Sequence, residues 1–187
     1  MLLSIVILIP LLGAWLPTAL SRALGVDPAR TAAALAATSL ALILSQAPDV
    51  LAGATLVSGW SWIPAAGLNA TFRLDGFGLL FALLILGIGL LVILYARYYL
   101  SPEESKERFY GLLLLFMGAM LGVVLAENLL LLVTFWELTS LSSFLLIGFW
   151  RHDLVLLMTA LALMGVHSTL FGPVKYAILP QHLKPEE

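Results

Sequence analysis

The stretch LLLLVTFWELTSLSSFLLIGFW, residues 129–150, decides the fold. At 1.5 Å per residue it is long enough, as a helix, to cross about 30 Å of hydrocarbon, and its single ionisable group is Glu137. Five more apolar runs surround it, at residues 1–20, 31–47, 76–96, 110–126 and 154 to about 171. Of the 187 residues 61% are hydrophobic and 11% charged, and the mean hydropathy is +1.06. A soluble domain averages roughly 45–50% apolar and about 25% charged residues, so one core could not hide this apolar content. The reading is an all-α polytopic membrane protein of about six spans. The first run has no Lys or Arg before Arg22 and is followed by further spans, so it reads as a retained helix rather than a secretory signal.

Composition also removes whole classes of function. With no cysteine, disulfide frameworks, thiolate metal sites and thiol nucleophiles are excluded. Nine basic against eleven acidic residues leave no surface for nucleic acid. The sequence contains no nucleophile–base pair, metal-ligand spacing or glycine-rich phosphate loop, so no cofactor or metal is expected and the chain does not read as an enzyme.

Orientation follows from Lys and Arg in short loops. Arg22, Arg30, Arg97, Lys106, Arg108 and Arg151 fall in the odd-numbered connections, against Arg73 on the other side. The odd connections are therefore expected in the cytoplasm and the N-terminus outside. Tyr95, Tyr98, Tyr99 and Tyr110 suit an interfacial belt at the cytoplasmic ends, where Arg97 can snorkel to the headgroups. Ser101-Pro102-Glu103-Glu104 reads as a helix start ahead of span four. Residues 56–75, with alternating side chains around Pro64-Ala65-Ala66-Gly67, read as a short extracytoplasmic β-hairpin between helices 2 and 3. Asp75 is placed to cap the next helix, and Glu127 beside Asn128 lies at a hydrated external junction. Gly118 and Gly122, four apart, allow close helix approach. Short connections predict that spans three, four and five form an antiparallel cluster.

Glu137 is the residue that costs energy. Eight residues into its span it lies about 12 Å deep, where an acid costs about 2.5–3.5 kcal/mol. Thr134, Ser140 and Ser143 fall at steps of three from it and form a polar ridge that winds partly around the helix beside it. A desolvated carboxyl with hydroxyls nearby suits proton transfer. The alternative is a structural glutamate hydrogen-bonded to a neighbouring helix.

Four stretches carry a resemblance: FRLDGFGLLFALL (72–84), LYARYYL (94–100), AENL (126–129) and FWELTSLSSFLLIGFW (135–150). Over about residues 1–150 they resemble the A-type component of Mrp-type multisubunit Na⁺/H⁺ antiporters, a relative of the antiporter-like L component of respiratory complex I (NADH dehydrogenase). That resemblance implies an N-terminal transmembrane region of a protein moving protons and monovalent cations in a bacterial inner membrane, beside other subunits and within the lipid bilayer. It also matches Glu137 to the family's proton-pathway glutamate; the lysine that pairs with it in family members is carried by a seventh helix, beyond the end of this sequence. The stretch LALMGVHSTLFGPVKYAILPQHLK (161–184) instead resembles a segment of the lysophospholipid-transporter branch of the major facilitator superfamily. Residues 151–187 therefore read as a foreign-looking segment joined near 151–154, as in a truncated or chimeric reading frame. His167 and Lys175, two turns apart, are its candidate polar residues, although Pro173 interrupts the helix between them. The expected function is a fragment of a cation/proton antiporter subunit with a glutamate relay. The alternatives are a piece of a lysophospholipid or solute transporter, or a non-transporting membrane remnant.

Overall fold

The computed structural model describes residues 2–63, 68–101 and 104–149. The chain divides into two units, Met1–Leu146 and Ile147–Glu187. Of the second, only residues 147–149 lie among those described; the expected sixth span, the junction near 151–154, His167 and Lys175 lie outside them.

The elements are α1 (Leu2–Gly13), α2 (Leu16–Leu24), α3 (Pro28–Leu51), β1 (Leu56–Ile63), β2 (Leu68–Leu74), α4 (Gly76–Tyr99), α5 (Lys106–Leu125) and α6 (Leu129–Ile147). Helices α3, α4, α5 and α6 are each long and apolar enough to cross a membrane, and α1 with α2 could make a fifth, bent span. The fold is therefore that of a helical membrane protein with one small antiparallel sheet.

The expected first span is not one helix. It breaks at Ala14-Trp15, and α2 departs from α1 by 53°. Pro17 explains the break, because its missing N–H leaves the Gly13 carbonyl without an i+4 donor and its ring crowds the preceding turn. Pro10 has the same defect within α1, but there the freed Val6 carbonyl accepts a hydrogen bond from Ser39 Oγ of α3 at 3.1 Å. The replacement is fully buried, and α1 continues to Gly13.

Helix α3 starts earlier than hydropathy suggests because Asp27 caps it, its Oδ1 accepting from Ala29 N at 3.0 Å with Pro28 in the first turn. Asp75 caps α4 as expected, accepting from Gly78 N at 2.8 Å. At the next helix start the expectation is half met. Glu104 accepts from Ser101 N at 2.9 Å, the returning arm of a capping box. Yet α5 begins only at Lys106, with Ser105 as its unbonded N-cap.

The hairpin forms where expected, with Leu56 opposite Leu74, Ser58 opposite Phe72 and Trp60 opposite Ala70. Alternation puts Ala70, Phe72 and Leu74 inward, where all three are buried. Helices α1, α3, α4 and α5 make the core, and α3 packs along α4 as α1 packs along α5. The expected cluster of spans three, four and five holds for α4 against α5, while α6 packs more sparsely on α5 than expected. Helix α1 occupies the place expected for α6 against α5, because Gly111 and Gly118 present bare backbone to it: a Cβ on Gly118 would lie 2.9 Å from the Leu11 nitrogen, and one on Gly111 2.6 Å from the Ala14 oxygen. Gly122, on another face, receives the Phe135 ring of α6.

Candidate functional site

Helix α6 is apolar all round, and its start is fixed by Asn128, whose Oδ1 accepts from Leu131 N at 2.8 Å while its carbonyl accepts from Leu132 N at 3.0 Å. At 100° per residue, Leu131, Phe135 and Ser142 share one side, and Leu131 and Ser142 are buried there. The opposite side carries Leu130, Val133, Trp136 and Leu141, all exposed, and Glu137 falls in the middle of that arc. The carboxyl is thus borne by a membrane-length helix, on the side opposite Leu131 and Ser142, which it shares with the buried Phe144.

The expected polar ridge separates into two environments. Ser140 and Ser143 line a groove between α5 and α6 of about 390 Å³, together with Trp136, Thr139, Phe116 and Met120. Neither Glu137 nor Thr134 lines it. The Thr134 hydroxyl donates to Leu130 O at 2.8 Å, and Ser143 Oγ donates to Ser140 O at 3.0 Å. These are bonds to preceding turns of the same helix, which occupy each hydroxyl's proton and leave its oxygen lone pairs open. Thr139, which sequence reasoning did not single out, does the same to Trp136 O at 2.6 Å. Its signal was available: Trp136, Thr139, Ser140 and Ser143 recur at the three- and four-residue steps of one helix face.

A second polar group closes the end remote from the hairpin. Arg97 Nη2 lies 3.2 Å from Asp27 Oδ2, with Arg30 Nε at 4.0 Å from the same oxygen. Arg97 is therefore tied to the N-terminus of α3 and not solely to the membrane surface, although its side chain remains 41% exposed. Next to this pair Tyr110 is fully buried, and Ser21 Oγ donates to Glu107 Oε1 at 3.2 Å, joining α2 to α5. Arg22, Arg30, Arg97, Lys106 and Arg108 all belong to this end, and Arg73, paired with Asp75 at 3.4 Å, to the hairpin end. Glu127 is exposed at the hairpin end. Among the described residues no group of three or more His, Cys, Asp or Glu side chains could hold a metal.

Residues 62–110 match the family described as NADH-ubiquinone oxidoreductase (complex I), chain 5 N-terminus. The chain is 57% identical over 106 residues to the A/B-type component of a probable K⁺/H⁺ antiporter of Rhizobium meliloti (strain 1021), and 54% identical over 110 residues to the A1-type component of a Na⁺/H⁺ antiporter of Staphylococcus aureus (strain JH9). The likeness is to antiporter subunits. It covers 57% and 59% of this chain but only 11% and 14% of those relatives, so the chain spans a small fraction of their length. Among solved structures, the Mrp complex from Dietzia sp. DQ12-45-1b superimposes with a TM-score of 0.66 at 32% identity, over 77% of this chain and 15% of that one. The membrane-bound sulfane sulfur reductase, an archaeal respiratory complex, shares the fold with a TM-score of 0.70 at 21% identity, over 97% of this chain and 30% of that one. The antiporter and complex I half of the expected resemblance is thereby supported. The major facilitator resemblance of residues 154–187 is not supported by these matches. The family match ends in the first turn of α5, ahead of α6 and Glu137.

Proposed function

We propose that this chain is an N-terminal part of a monovalent-cation/proton antiporter subunit, working beside other subunits in a bacterial inner membrane, with Glu137 carrying protons within the bilayer. The observation that carries the class is identity at more than half of over one hundred aligned residues to two antiporter components of the A type. What supports Glu137 is its placement: it is the single ionisable group of a membrane-length helix, where an acid costs about 2.5–3.5 kcal/mol. The test is replacement of the aligned 106-residue segment of the Rhizobium relative by its counterpart from this chain, followed by dye-based measurement of K⁺- and Na⁺-driven proton movement in everted vesicles. Exchange within a few-fold of the parent is the expected result. A hybrid that assembles and exchanges nothing would overturn the assignment.

The orientation belongs to the same proposal, with the basic end in the cytoplasm. The chain has no cysteine, so single cysteines report cleanly. In intact cells an impermeant maleimide is expected to label Glu127→Cys and to spare Ser105→Cys, both positions being exposed. The reverse pattern would invert the topology.

A further inference from the structure

The corner between α5 and α6 is held by the hairpin through backbone, amide and aromatic contacts. Phe72 pairs with Ala126 as an isolated antiparallel bridge, and Glu127 N donates to Thr71 O at 3.0 Å. The Asn128 side-chain amide donates from Nδ2 to Asn69 O. The Phe72 ring stands 6.0 Å from that of Phe135, which in turn sits over Gly122. Beyond this collar Ser142 and Phe144 of α6 are buried, and a groove lined by Phe116, Met120 and Trp136 runs between it and α5. An all-round apolar helix has no amphipathic face to select its own rotation. Its attached end, where Phe135 packs on Gly122 and Asn128 bridges to β2, is where the hairpin bears on the setting of α6 about its axis.

Asn128 is where that setting is made. Its Oδ1 caps the first turn of α6 while its Nδ2 grips the β2 backbone, so one planar amide ties the starting angle of the helix to the sheet. Because a helix transmits rotation rigidly, any turn at the cap moves every later side chain by the same angle, Glu137 included. We infer that Asn128 is a positioning residue: by bridging the Asn69 carbonyl to the α6 cap, it fixes the side of the helix on which Glu137 is presented. The inference rests on the proton-carrying reading of Glu137 for its functional meaning, but its geometry can be tested independently.

The test exploits the two ends of the amide. Asn128→Asp keeps a strong capping oxygen but cannot donate to Asn69, whereas Asn128→Ala loses both functions. Spin labels on single cysteines at Leu130, Val133, Leu141 and Ser142 of the full chain in liposomes would report oxygen accessibility along α6. In the parent, accessibility is expected to be high at the first three and low at Ser142. If Asn128 positions the helix, Asn128→Asp shifts the phase of this pattern about as much as Asn128→Ala does. If Asn128 only caps, the Asp variant keeps the parental pattern, and the inference is overturned. Should the Asp variant fail to accumulate, Asn128→Ser separates the same two roles, since its hydroxyl can cap but is too short to reach the sheet. In a complete relative, the Asp variant is further expected to shift the pH at which exchange is half-maximal, while Asn128→Gln restores part of it. A phase shift combined with full exchange in Glu137→Gln would retire the relay and leave the positioning role standing.

Discussion

Glu137→Gln, placed in a complete antiporter protein of the kind this chain resembles, is expected to reduce cation-driven proton exchange on the order of 100-fold or more, the usual scale for removing an essential proton-transfer group, while the complex still assembles. Gln fills nearly the same volume and can make a carboxyl's hydrogen bonds, but it has no titratable proton. Glu137 is exposed and is not among the residues lining the α5–α6 groove, so the substitution leaves that lining unchanged. Glu137→Asp should keep partial activity, because the group still titrates but is set back by one methylene. If the glutamate were structural, the order would invert: Gln would be nearly silent and Ala would impair assembly. Co-purification of the other subunits with the variant, measured beside vesicle exchange, separates these outcomes.

The second large effect is expected at Gly118. Gly118→Val should lower stability by about 3 kcal/mol, the upper end of what overpacking costs, because the obstacle is backbone. A Cβ there would lie 2.7 Å from Leu11 Cγ and 2.9 Å from Leu11 N, and α1 could accommodate it only by moving off α5 as a body. Gly87→Val on α4 is the control, since nothing lies within 4 Å of its Cβ position. Reversible unfolding in mixed micelles should resolve the two. Equal stability of both variants would mean that α1 is not held against α5 by close backbone contact.

How much of this was legible beforehand depended on the range of the interaction involved. Hydropathy located α3, α4, α5 and α6 because burial in lipid is a property of each segment by itself. The hairpin and the Asp75 cap were legible for the same reason, being set by neighbours within a few residues. Hydropathy missed the break after Gly13, since averaging over a window of apolar residues hides what one Pro17 does to one carbonyl. Interactions between distant residues left no local trace: Asp27 meets Arg97 across two helices and the hairpin, and Asn128 reaches back to Asn69. Glu137 stands out because an ionisable group in an apolar run is conspicuous in one dimension. Its ridge of hydroxyls winds around the helix, because steps of three drift by about 60° each. Thr134 therefore ends up off the groove that Ser140 and Ser143 line.

The bend between α1 and α2 carries a consequence for the surrounding lipid. Helix α1 has 12 residues and α2 has 9, and with α2 inclined by 53° the two helices, without Ala14 and Trp15 between them, reach about 26 Å along the α1 axis at 1.5 Å per residue. Helices α3 and α4 have 24 residues each, about 36 Å. Set against a hydrocarbon thickness of about 30 Å, one flank is too short and the other too long, and mismatch costs fractions of a kcal/mol per Å. The long helices can relieve their excess by tilting, but a broken helix cannot stretch. With the bent pair crossing as one span, the bilayer is expected to thin beside α2, where Arg22 stands exposed. Part of the transmembrane voltage would then fall across a shorter slab on that flank, and the chain would favour short-chain annular lipids there.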